Sequence, residues 1–185
     1  MPETDTFARS LHDLGLAAWF GGSLMGAVGL NGAAAEVDEP KQRARVANAG
    51  WARWTPLNLT AIGAHVVGGA LIVTANKGRL AGQQGVATWT VAKLGVTAAA
   101  LAATTYARVL GQKIEQFGDV PVEGGTEPLP DTPDEVKGAQ RQLKVLQWTI
   151  PVLTGAALVM GARMGEQQRP KEVAGGIIGR LLPGR

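Results

Sequence analysis

Two histidines and a lysine stand where charge is costly. His12 opens the apolar run 11–30, His65 lies near the centre of the uncharged run 56–75, and Lys93 sits a little way inside the run 86–110. An ionisable side chain within a membrane helix needs a partner or a purpose, because burying it without either is unfavourable. An imidazole can take up or pass on a proton near neutral pH, or ligate iron; an ammonium can hold a carboxylate or balance charge. At a rise of ~1.5 Å per residue, with Phe7, Asn76 and Val86 as entrances on one side, His12 lies about 7 Å deep, Lys93 about 10 Å and His65 about 16 Å. All three then occupy one half of a bilayer. A cofactor-binding or catalytic constellation of His12, Lys93 and His65 is allowed if the first three helices pack together. Plainer readings stand beside it: His12 hydrated at the interface near Arg9 and Asp13, Lys93 snorkelling to the headgroups, and His65 bonding a neighbouring helix as structural glue.

Other chemistries are poorly represented. The chain has no cysteine, which removes disulfides, thiolate metal sites and cysteine nucleophiles. Met25, Met160 and Met164 are too scattered to suggest a copper site, and no metal site is expected. No phosphate loop, zinc spacing or catalytic triad is visible. A net charge of +3 without a dense Lys/Arg block gives no reason to expect nucleic acid as a partner.

The elements that must position these residues are membrane helices. Mean hydropathy is only +0.06, but apolar residues and charges are segregated along the chain. Hydrophobic residues make up 45% and glycines number 26, a composition that suits helices associating by close backbone approach. An all-α integral membrane protein is expected, with four transmembrane helices in an antiparallel bundle over residues 1–165. The spans fall at about 7–35, 56–76, 86–110 and 143–163, each long enough for a bilayer core. Ala33, Ala34 and Ala35 after the first run fit a signal cleavage site, but Glu3, Asp5 and Asp13 against Arg9 make a poor leader, so the run is expected to stay as a span.

Between the spans, Asp38 and Pro40 predict a short surface helix ending at the interfacial pair Trp51 and Trp54. The acidic Pro/Gly loop 111–135 reads as solvated, with no core of its own. It ends in Thr132-Pro133-Asp134-Glu135, a capping-box pattern that starts the last helix in water, and Pro151 should kink that helix. The basic tail 166–185 carries Val173, Ile177 and Leu181 at helical spacing, as either an interfacial amphipathic helix or a disordered segment. Gly22 and Gly26, and the face with Gly63, Gly68 and Gly69, predict close helix approach within the bundle or self-association. Trp19 shares a helical face with His12 and reads as packing. The cations Arg9, Lys77, Arg79, Arg163, Arg169, Lys171, Arg180 and Arg185 fall on one side, in shorter segments than those of the other side. Both termini are therefore expected in the cytoplasm, with the protein in the plasma membrane.

His12, Trp19, Gly21 and Gly22 on the first helix, with Trp89, Lys93 and Leu94 on the third, resemble the small four-helix membrane proteins of the copper-resistance D and HemJ-type protoporphyrinogen oxidase superfamily. The resemblance implies the four-helix layout. It also implies that His12 and Lys93 serve a b-type haem site or the oxidase chemistry. One departure is that Tyr106 is followed by Ala107, so a second haem ligand is missing from the third helix, where His65 would have to substitute. The residues themselves favour a non-catalytic accessory or structural subunit of a membrane complex. A haem b-binding redox protein or HemJ-like oxidase using His12 and Lys93 is the alternative, and transport of a small solute or metal comes third.

Overall fold

Four apolar runs, each bounded by charges, fold as four helices long enough to cross a membrane. The structure is a computed structural model that describes residues 3–167 together with 169, 173, 175, 177 and 178. The first span comprises α1 (Glu3–Met25), a π-helical turn (Gly26–Leu30) and α2 (Asn31–Ala35). The others are α3 (Pro40–Ala75), α5 (Val86–Gln116) and α6 (Asp134–Glu166), with a short α4 (Lys77–Gly82) between α3 and α5. Successive spans alternate in direction, and an isolated bridge between Val122 and Pro128 is the nearest thing to a strand among the described residues.

The helices stand in the order α3, α1, α6, α5. α1 packs along α3 and α6, α6 packs along α5, and α3 and α5 scarcely touch. The bundle is thus an open ring with a seam between α3 and α5. Its tightest joint is α1–α3, and glycine makes that joint possible. A Cβ at Gly15 would fall on the Ala61 carbonyl and the His65 amide, and one at Gly68 on the His12 amide and the Ala8 carbonyl. The Gly22 and Gly26 pair is used in the same joint, where Trp54 covers Gly22 and Trp51 covers Gly26. Trp51 and Trp54 therefore turn into the bundle, and Trp51 Nε1 donates to Asn31 Oδ1 at 3.0 Å. Gly68 and Gly69 also face α1, leaving only Gly63 of its expected face with open space in front of it.

Several boundaries differ from expectation, for identifiable reasons. The surface helix expected near Asp38 merges with the second span, so α3 runs unbroken for 36 residues through Pro56. Glu39 rather than Asp38 caps it, its side chain accepting from the Lys41 amide at 3.4 Å. At ~1.5 Å per residue α3 is about 54 Å long, well beyond a ~30 Å hydrocarbon core. The capping box at Thr132 does not form. Pro133 takes the N-cap position, while Thr132 Oγ1 donates to the Pro121 carbonyl and accepts from the Leu129 amide. α4 occupies what reads in the sequence as a simple turn, and α5 continues past 110 to Gln116.

The segment 117–133 is the largest correction, because it has a core after all. Val120 and Val122 are buried with Ala44, Leu110, Ile114, Val136 and Ala139, where α3, α5 and α6 extend beyond the membrane core. Gln140 Nε2 donates to the Gly124 carbonyl at 2.9 Å, and Arg43 Nη1 to the Glu123 carbonyl at 3.2 Å. A second core, within the bundle, gathers Leu16, Trp19, Ala100, Ile150 and Ala157. The tail, where an interfacial helix or disorder was expected, lies for the most part outside the described residues.

Candidate functional site: a histidine pair and a lysine at the seam

The α1–α3 joint brings His12 against His65. Their rings stack with centroids 3.9 Å apart and 23° between planes. His12 Nδ1 donates to the His65 carbonyl at 2.8 Å, and His65 Nδ1 donates to the His12 carbonyl at 2.9 Å. A ring nitrogen facing a carbonyl must carry the proton, which leaves Nε2 as the basic atom of each ring. Lys93 Nζ, reaching in from α5, lies 2.8 Å from His12 Nε2. Three helices thus contribute one hydrogen-bonded cluster, in which His65 is 2% and Lys93 9% exposed. Lys93 neither snorkels nor stands alone.

The sequence depths put the two histidines about 9 Å apart, and the structure brings them level. α1 begins at Glu3 rather than Phe7, so His12 is nine residues in, about 14 Å at the same rise, against about 15 Å for His65 counted from Ala75. Glycine clears the space around the cluster. A Cβ at Gly69 would lie 3.0 Å from His12 Nδ1, and one at Gly161 would lie 3.0 Å from Lys93 Nζ. Trp19 closes the far side. It is fully buried, sets its ring edge-on to His65 with centroids 6.4 Å apart, and donates from Nε1 to Thr104 Oγ1 at 3.1 Å. Trp19 is therefore the packing residue its position suggested.

The cluster opens into a cavity of about 390 Å³ at the terminal end of the α3–α5 seam. Among the described residues, Arg9, Arg79 and Lys93 line it against a single carboxylate, Asp13, so the cavity favours an anion. Sequence reasoning did not include Arg79 in the site, because Asn76–Arg79 reads as a stop signal. The structure turns its side chain across the cavity's end. There it donates to Asn76 Oδ1 at 3.2 Å, Gln83 Oε1 at 3.0 Å and the Gln167 carbonyl at 3.1 Å. Burial, and then the Arg9 cation, lower the Arg79 pKa from its ordinary value. The exposed apolar side chains of Val66 and Leu94 border the same cavity, so it meets lipid sideways as well as the polar end.

Haem can be tested against this donor set. Two axial histidines must approach iron from opposite faces of the macrocycle, whereas these rings stack side by side and His12 Nε2 is engaged by Lys93. The pair does not fit bis-histidine ligation. Among the described residues no group of three His, Cys, Asp or Glu side chains gathers to hold a metal ion. What the arrangement can do is hold an anion at Lys93 and accept a proton at His12 Nε2 once Lys93 moves aside. Comparison of the chain with known protein families, with curated proteins and with solved structures finds no match among any of them.

Proposed function

We propose that this multi-pass membrane protein is a plasma-membrane enzyme whose His12–Lys93 pair handles a proton of an apolar, carboxylate-bearing substrate. The single observation behind the reading is the 2.8 Å contact between Lys93 Nζ and His12 Nε2 at the wall of a cavity open to lipid. A substrate carboxylate that draws the Lys93 ammonium away uncovers His12 Nε2 as a general base. His65 holds the ring in the required tautomer through its carbonyl. The seam gives a membrane-dissolved molecule a sideways route to the pair. This assignment agrees with the resemblance to the HemJ-type oxidases, which gives the chemistry to the same two residues and whose substrate is a tetrapyrrole with propionate arms. Both termini lie in the cytoplasm in this reading, because the terminal side carries its cations in the shorter segments.

The test is titration of the detergent-purified protein with protoporphyrin, followed by absorbance, alongside turnover of protoporphyrinogen with an added quinone as the electron acceptor. Wild-type protein should bind, Lys93→Met should bind at least about tenfold more weakly, and His12→Gln should bind but fail to turn over. Equal binding and turnover by all three proteins overturns the reading. A Soret band in the protein as purified that shifts on dithionite reduction, as iron does and metal-free porphyrin does not, and is lost in His12→Ala, would favour a haem site instead. An accessory role is the second reading, supported by Gly21, Gly63 and Gly95, which leave open space for a neighbouring helix. Co-purification of a larger complex that survives His12→Gln and is lost on Gly63→Leu would favour it.

A further inference from the structure

The seam between α3 and α5 contains a second cavity, of about 440 Å³, at the end away from the termini. It shares no lining residue with the first. Its chemistry differs from that of the histidine site. Ile62, Leu101, Leu143 and Ile150 give it a mostly apolar wall set with amides, hydroxyls and indoles, and among the described residues Arg108 is its sole formal charge. Arg108 is half-buried near the exit of the third span, and it has neither an ion pair nor a hydrogen bond among the described residues. A guanidinium so placed is unfavourable until an anion meets it, and its fork matches the oxygens of a phosphate. Asn58 supplies a second unmet demand. Its Oδ1 is buried without a partner among the described residues and belongs to the same lining, so it needs a donor.

The rim indicates where such a ligand comes from. Leu59 and Val109, 63% and 52% exposed, are apolar edges of the cavity on the outer surface of the bundle. Gly125 and Thr126 of the packed segment lie over the other end. Trp51 and Trp54, turned into the bundle, stand in the lining. A ligand must then combine an anionic group, hydroxyl donors and an apolar tail that leaves along Leu59 and Val109. Zwitterionic headgroups fit poorly, because their ammonium finds no carboxylate in the lining and faces Arg108. A glycerol headgroup brings hydroxyls instead.

We propose that this second cavity binds the glycerol–phosphate headgroup of an anionic lipid from the leaflet opposite the termini, with its phosphodiester on Arg108 and a headgroup hydroxyl donating to Asn58 Oδ1. The proposal is independent of the function assigned to the histidine site.

The experiment is native mass spectrometry of the full chain from neutral detergent, titrated separately with phosphatidylglycerol, phosphatidic acid and phosphatidylcholine. One phosphatidylglycerol per chain should be retained at concentrations where phosphatidylcholine is not. Arg108→Gln should weaken that retention about tenfold or more, with Arg108→Lys intermediate. Asn58→Leu leaves the charge in place, so it should erase the preference for phosphatidylglycerol over phosphatidic acid while keeping phosphate binding. Each variant is compared with wild type for its melting temperature in phosphatidylcholine micelles, which should not fall, because each removes a group that lacks its partner there. Equal retention of phosphatidylglycerol and phosphatidylcholine overturns the proposal, and so does wild-type retention by a folded Arg108→Gln protein. Free glycerol 3-phosphate binding as tightly as the lipid would place the ligand's source in the aqueous phase and overturn the lipid assignment.

Discussion

The two ring nitrogens of His12 face different partners, and that division fixes its chemistry. Nδ1 points at a carbonyl and Nε2 at an ammonium, so the neutral ring has one available tautomer. Solid-state ¹⁵N spectra should therefore show both His12 and His65 protonated at Nδ1 and bare at Nε2; an Nε2–H signal from either ring would contradict the geometry. Gly161 offers a probe that leaves all three polar residues in place. A Cβ there falls against Lys93 Nζ, so Gly161→Val should push the ammonium off His12 and reduce substrate binding, while Gly95→Val, with open space in front of it and outside the cavity lining, should not. The sequence marks His12, His65 and Lys93 by type alone, since ionisable residues in apolar runs are conspicuous. It does not mark Arg79, whose role depends on how α4 turns back over the cavity, a tertiary matter with no local signature.

At the scale of elements, the α1–α3 joint is held by backbone proximity rather than by large side chains. In lipid no hydrophobic drive pulls helices together, so close van der Waals contact and interhelical hydrogen bonds must suffice. Gly15→Val or Gly68→Val should each cost about 1–3 kcal/mol by overpacking, and should also separate the histidine rings. Thermal unfolding in detergent measures the first effect and the ¹⁵N spectra the second. Helix existence was legible because hydropathy and charge segregate so cleanly along the chain. Helix ends were not, since α3 and α5 continue beyond the bilayer on residues whose composition reads as polar connection. The packing of 117–133 was hidden for a similar reason. Val120 and Val122 are its buried apolar anchors, too few to outweigh the surrounding glycines, prolines and acids, and its other ties are hydrogen bonds with no sequence signature. The π-helical turn at Gly26–Leu30 has no sequence signal either. Its Asn31 amide bonds back to the Gly26 carbonyl, and the Asn31 side chain is held by Trp51 and Gln147.

For the molecule as a whole, the seam is an accessible surface. The chain has no cysteine, so single cysteines report cleanly. Val66→Cys and Leu94→Cys should react with a membrane-soluble maleimide, whereas Ala100→Cys, 1% exposed, should resist it. Four crossings also place both termini on one side, so reporters fused at either end should agree; opposite results would refute the span count.

The ring order has a consequence for how the molecule comes to exist. α1 with α3, and α5 with α6, are each consecutive antiparallel helices that pack along one another, and α1–α6 is the main contact joining the two hairpins. Each hairpin can assemble in the bilayer before it meets the other. His12 and His65 belong to the first hairpin and Lys93 to the second, so the histidine pair is built early and the ammonium arrives only on docking. A chain cut after Gly82 and expressed as two pieces should therefore reassemble. Neither half alone holds the complete cluster, and the contact between Lys93 and His12 records that the halves have joined.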